Sequence, residues 1–163
     1  MDAHRKLEEL ADPKRQAAVE TVASILQAKG RDVWSITPQA TVYEAIALMA
    51  EKRVGSLVVW DRTLSGIISE RDYARKVILQ GKSSRDTFVS EIMTSPVITV
   101  TSKHTIPDCL RIVTDLRIRH LPVIDEERLT GLISIGDLVR AVLSMQAHTI
   151  DQLETYITNK YPK

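Results

Sequence analysis

Residues 66–72 read GIISERD and residues 131–137 read GLISIGD, so a glycine, two aliphatics, a serine and an aspartate occur twice in one order. The surroundings repeat with them. "VWSITPQATVYEAIALMAEKRVGSLVVWD" from Val33 aligns with "VITVTSKHTIPDCLRIVTDLRIRHLPVID" from Val97 at an offset of 64. The turn "EERLTG" is one residue longer than "RTLSG", and beyond it Gly66, Ser69, Asp72 and Arg75 meet Gly131, Ser134, Asp137 and Arg140. Identities at Thr37/Thr101, Thr41/Thr105, Arg53/Arg117, Leu57/Leu121 and Asp61/Asp125 spread over the whole unit. The chain therefore contains a duplicated unit.

Each copy predicts the same series of elements. A short extended segment ("VWSIT", "VITVT") precedes a helix with apolar residues at Val42, Ala45, Ile46 and Met49, or at Ile106, Cys109, Leu110 and Val113, the spacing of one buried helical face. Then follow an apolar run ("SLVVW", "HLPVI"), a polar turn, a second run ("GIIS", "GLIS") and a closing helix. The expected fold is α+β, two β-α-β-β-α repeats. One copy of about 50 residues would leave an apolar sheet face uncovered, so two copies packed together are expected.

Outside the repeats, Asp12-Pro13 reads as a helix start, with Val19, Val22, Ala23 and Leu26 as its apolar stripe and Gly30 as its stop. The tail carries Ile150, Leu153 and Ile157 at helical spacing. The expected organisation is an amino-terminal helical extension (1–30), repeat 1 (31–80), a linker (81–96), repeat 2 (97–145) and a helical tail (146–163).

The 163 residues include 22 basic and 21 acidic side chains. Such balance, with seven aromatic residues (two Trp, four Tyr, one Phe), gives neither the basic stripe nor the stacking platform of a nucleic-acid binder, nor a membrane-surface patch. A single cysteine, Cys109, and four histidines make no metal-ligand spacing, so no metal is expected. No signal peptide or apolar span is evident, and a soluble protein of the reducing cytoplasm is expected. No Walker A sequence or G-x-G-x-x-G is present, no nucleophile stands by a base, and Cys109 falls on an apolar helix face, so an enzyme is not expected.

Ser69-x-x-Asp72 and Ser134-x-x-Asp137 fit two accounts. One is a capping box, worth about 1 kcal/mol, and the chain writes similar elements at Thr41-Glu44 and Thr105-Asp108. The other is ligand binding: a helix start suits a phosphate, and an aspartate beside it can accept both hydroxyls of a ribose. Capping explains neither the glycine three residues before each serine nor the basic "RIRH" at 117–120.

The duplicated pattern, with "RIRHLPVID", "GIISERD", "GLISIGD" and the linker segment "EIMTSPV", resembles a tandem pair of cystathionine-β-synthase-type (CBS) domains, a Bateman module, over about Val33 to Leu143. The resemblance implies a pseudo-twofold pair whose clefts bind adenosine-containing ligands such as AMP, ATP, NAD or S-adenosylmethionine. It implies ribose binding by Asp72 and Asp137, and ribose or phosphate contacts from Ser69, Ser134, Arg71, Arg119 and His120. An adenine pocket is implied at Val33, Trp34, Ala40, Ala45, Val54 and Ile67 in the first copy and at Val97, Ile98, Ile118 and Leu132 in the second. Repeat 1 departs from the pattern by placing Gly55 and Ser56 where repeat 2 has Arg119 and His120, so unequal sites are expected. The function implied is a non-enzymatic sensor acting on an unidentified protein target, with a homodimer as the expected assembly. A purely structural dimerisation module is the alternative.

Overall fold

The computed structural model describes residues 20–160, and side chains up to residue 158. The expected helix start at Asp12-Pro13 and the apolar position Val19 lie outside the described residues. The elements run α1 (Val22–Lys29), β1 (Ser35–Ile36), α2 (Val42–Lys52), β2 (Ser56–Asp61), β3 (Thr63–Ser69) and α3 (Glu70–Tyr73), which continues into a π-helical turn at Ala74–Ile78. After α4 (Val89–Ile92) come α5 (Ile106–Asp115), β4 (His120–Asp125), β5 (Arg128–Ser134) and α6 (Ile135–Lys160). The fold is mixed α+β. β1 lies parallel to β2, β2 antiparallel to β3, and β4 with β5 forms a second sheet.

The β-α-β-β-α series is realised in repeat 1, while in repeat 2 the leading strand shrinks to one parallel bridge between Val100 and Val123. Proline explains the difference. The Val58 amide donates to the Trp34 carbonyl at 3.1 Å, but the aligned residue in repeat 2 is Pro122, which has no amide to offer Ile98. The closing helix of repeat 2 also departs from expectation. It does not end near residue 145 but runs on into the tail as one helix of 26 residues, because between Asp137 and Lys160 there is no glycine or proline to stop it.

The described residues form two compact units that cut across the repeats: Arg31–Val100 with His120–Leu132, and 20–30 with Thr101–Arg119 and 133–160. In the first unit the segment leading into repeat 2 docks on the start of α2. Val42 donates to the Thr87 carbonyl at 2.9 Å, and Val89 to that of Ala40 at 2.8 Å. Val89 and Ile92 thereby join Val42, Ala45, Met49, Leu57, Val59, Ile68 and Val77 in one core. In the second unit the segment leading into repeat 1 docks in the same manner on the start of α5: Val22 donates to the His104 carbonyl at 2.9 Å and Ile106 to that of Glu20 at 3.1 Å. Each repeat's first helix is thus held by the other repeat's leading segment.

Local chemistry fixes the ends of these elements. Thr41 and Glu44 complete a capping box on α2, and Thr105 caps α5 with Pro107 in its first turn. Arg53 and Arg117, aligned in the repeats, both take left-handed backbone conformations (φ 56° and 53°) that end the first helices. Between β4 and β5, Glu126 and Glu127 also have positive φ, 48° and 64°, as a type I′ hairpin turn requires. Glutamate is poorly suited to both positions. Replacing Glu126-Glu127 with Asn-Gly is expected to stabilise the protein by about 1 kcal/mol, a rise in Tm of about 2–4 °C in a thermal melt. A lower Tm would contradict the turn assignment.

Candidate functional site

Both Ser-x-x-Asp elements sit where a strand turns into a closing helix. In repeat 1, Asp72 Oδ2 accepts the Ser69 amide at 3.0 Å and its hydroxyl at 2.9 Å, while the Asp72 amide donates to Ser69 Oγ at 3.1 Å. In repeat 2, Asp137 Oδ2 accepts the Ser134 amide at 2.8 Å, and the Asp137 amide donates to Ser134 Oγ at 3.2 Å. The capping account is therefore realised in full at both. Each cap engages only Oδ2.

The other contacts of these buried carboxylates come from basic and hydroxyl side chains. Lys76, one turn along, stands 3.1 Å from Asp72 Oδ1, and the Thr94 hydroxyl lies at 3.5 Å from the same oxygen. Lys76 Nζ also donates to the Ile92 carbonyl at 2.8 Å. Asp137 is more tightly ringed: Arg140 Nη2 meets Oδ1 at 2.6 Å and Lys29 Nζ meets Oδ2 at 2.7 Å. Burial disfavours the charge on Asp137, but the hydrogen bonds from Lys29, the Ser134 amide and Arg140 outweigh it and hold the carboxyl below its ordinary range. Lys76 and Arg140 follow from helical spacing, three or four residues beyond each aspartate. Thr94 and Lys29 carry no such signal, since each belongs to the leading segment of the other repeat.

The glycine before Ser69 also finds a reason. A Cβ at Gly66 would lie 2.6 Å from Met93 Sδ and 3.0 Å from the Thr94 carbonyl, because Ile67 and Thr94 exchange backbone hydrogen bonds at 3.1 and 2.8 Å beside it. Only glycine lets the segment carrying Thr94 approach so closely.

The remaining candidates are placed less uniformly. Arg71 is exposed on α3 and is not joined to Asp72. Arg119 is exposed, and its carbonyl accepts the Ile135 amide at 2.9 Å, as the Gly55 carbonyl accepts that of Glu70 at 3.0 Å. His120 is half-buried at the start of β4. Trp34 is 41% exposed, with Lys52 Nζ 4.4 Å above its ring, an arrangement a cation–π interaction favours. Val33, Ala40, Val54, Ile67, Val97, Ile118 and Leu132 are half-buried, and Ile98 is exposed. Ala45 departs from this pattern: it is wholly buried in the core with Val42 and Met49 and has no surface open to a ligand.

Cys109 is fully buried, and burial, helped by the charge of Asp108, pushes its thiol up to about 11. At neutral pH it is a packed thiol, not a nucleophile. Among the described residues no cluster of His, Cys, Asp or Glu is arranged to hold a metal, and no helix is long and apolar enough to cross a membrane.

The sequence profile of the CBS domain matches residues 22–78 and 89–144. The chain belongs to the CBS-domain family. It is 40% identical over 152 residues to the CBS domain-containing protein CBSX3, mitochondrial, of Arabidopsis thaliana, covering 86% of this chain and 73% of that protein. A solved structure of a protein with CBS domains from Burkholderia ambifaria MC40-6 is 51% identical, with a TM-score of 0.74 over 76% of this chain and 94% of that one. The CBS domain pair of protein MJ0100, solved in complex with 5′-methylthioadenosine and S-adenosyl-L-methionine, shares the fold at 24% identity, with a TM-score of 0.69 over 78% of this chain and 98% of that one. The chain is thus a CBS pair of the regulatory kind.

Two outcomes test the geometry of this CBS pair. Because the Asp137 carboxyl titrates below its unfolded value, its stabilisation is present above about pH 4 and is lost as pH falls through the folded value. Asp137→Asn is therefore expected to be less stable than the parent by about 1–3 kcal/mol at pH 7, with the gap closing as pH drops below about 4 in urea titrations. A gap independent of pH would contradict this assignment. Gly66→Ala is expected to cost about 1–3 kcal/mol through overpacking against Met93 and Thr94, measured by chemical denaturation.

Proposed function

We propose that this CBS pair is a non-catalytic regulatory module that binds adenosine-containing ligands of the AMP, ATP, NAD or S-adenosylmethionine type at Asp72 and Asp137. Binding is passed to a protein target or to the module's own assembly state. The observation that carries this reading is the division of labour on each carboxylate. Capping takes Oδ2 in both copies, joined on Asp137 by Lys29, whereas Oδ1 is met by Lys76 in one copy and Arg140 in the other, side chains 40% and 73% exposed. An oxygen so held can exchange a basic partner for the hydroxyls of a ribose, and the released cation can turn to a phosphate. The same fold carries adenosine-containing molecules in the MJ0100 pair.

In this reading repeats 31–80 and 97–145 each contribute one site, flanked by the extension 1–30, the linker 81–96 and the tail 146–163. Ser69 and Ser134 stand beside the ribose, and Arg71, Arg119 and His120 supply phosphate contacts. Val33, Trp34, Ala40, Val54, Ile67, Val97, Ile98, Ile118 and Leu132 contribute apolar surface to the base. No metal takes part. The compartment is reducing, the cytoplasm being the simplest, and the assembly a homodimer. Exposed Leu143, Ile150, Leu153 and Ile157 along α6 support self-association, which light scattering reads directly.

The completed capping boxes favour one competing reading, a structural pair in which both aspartates only cap helices. Thermal melts separate the two. Ligand-freed protein is expected to gain Tm with at least one of AMP, ATP, NAD or S-adenosylmethionine, and the double variant D72N/D137N to lose that gain. No shift in the parent protein with all four, together with no heat in calorimetric titrations, would leave the structural reading standing.

A further inference from the structure

Within the unit that holds α1, α5 and α6, a groove of about 400 Å³ has Glu20, Ser24 and Lys29 on one wall and Asp137, Arg140 and Ser144 on the other. Lys29 and Arg140 both bind Asp137 there, at 2.7 and 2.6 Å, and the aspartate side chain is only 5% exposed. Two cations thus share one buried anion, with Glu20 the other acidic residue of the lining. The surroundings of Asp72 differ in kind: the leading segment there brings the neutral Thr94, and the nearby cation, Lys76, belongs to the closing helix itself and is also held by the Ile92 carbonyl.

We propose that Lys29 is a specificity-determining residue of this groove, admitting sugar-diol ligands that bring an anionic group, of which a nucleoside monophosphate is the fitting class, and discriminating against neutral nucleosides. The inference rests on the reading of Asp137 as a diol acceptor. A neutral diol that takes the place of the Lys29 ammonium breaks a short ion pair on a buried carboxylate and returns only uncharged hydrogen bonds. A ligand carrying a phosphate returns a charge-assisted partner for the ammonium, and the number of ion pairs is conserved. At Asp72 the leading segment supplies no cation and the exchange falls on Lys76 alone, so the two copies differ in the number of ion pairs a neutral diol would break. Lysine suits the role, being a flexible point charge able to move from carboxylate to phosphate.

Calorimetric titration of AMP and adenosine into D72N protein, in which Asp137 remains the intact acceptor, tests the proposal with Lys29, Lys29→Met and Lys29→Arg. With Lys29 and with Lys29→Arg, AMP is expected to bind at least about tenfold more tightly than adenosine, one charge-assisted hydrogen bond's worth. Lys29→Met is expected to bring the two affinities together, weakening AMP and strengthening adenosine. Lys29→Gln serves in its place if thermal melts show that methionine impairs folding. Binding that persists in Lys29→Met with the AMP preference unchanged would overturn the role of Lys29 and leave the Asp137 site standing. Absence of binding by either ligand to D72N protein would overturn the role of Lys29, and absence of binding to the parent protein as well would overturn both.

Discussion

The backbone hydrogen bonds that dock each leading segment on the other repeat's first helix are the constraint on which the rest depends. A short segment such as α4, four residues long, has no independent stability as a helix; it is ordered because Val89 and Val42 exchange their bonds with Ala40 and Thr87, which buries Val89 and Ile92. The docked segment then runs on to Thr94, which pairs with Ile67 and reaches Asp72. The amino-terminal counterpart runs from Thr21 through α1 to Lys29 and reaches Asp137. Core formation and the surroundings of both aspartates are consequences of one reciprocal arrangement, and neither repeat supplies the surroundings of its own aspartate alone.

Much of this was legible in the sequence. Periodicity located α2 and α5, the apolar runs located the four long strands, and Thr41, Thr105, Ser69 and Ser134 were readable as caps because capping is decided within three residues. What escaped is non-local or depends on a single absent atom. Lys29 and Asp137 stand more than a hundred positions apart, and nothing about an exposed-looking lysine at a helix end marks a distant partner. The loss of a leading strand in repeat 2 turns on the missing amide of Pro122. The fusion of closing helix and tail into α6 is legible only as the lack of a stop signal, which a reading guided by the repeat boundary overlooks. Ala45 lies in the core, as the helical stripe of Val42, Ala45, Ile46 and Met49 predicts.

Capping and binding, alternatives at the level of residue types, are compatible in the geometry. The serine amide takes one oxygen of each aspartate and fixes the carboxylate's orientation, and a side chain so fixed loses little further freedom in receiving a ligand. The duplication therefore writes the same fixed carboxylate twice, while the leading segments bring a hydroxyl to one copy and an ammonium to the other.

The unbroken helix α6 has a mechanical consequence. Asp137 lies in its first turn and the exposed Ile150, Leu153, Tyr156 and Ile157 lie in its second half, so the two are joined by a single rod of 26 residues, about 39 Å long at 1.5 Å per residue. A rod of that length multiplies angle into distance: a tilt of about 5° at its base carries its far end through about 3 Å, roughly the separation between a packed contact and a broken one.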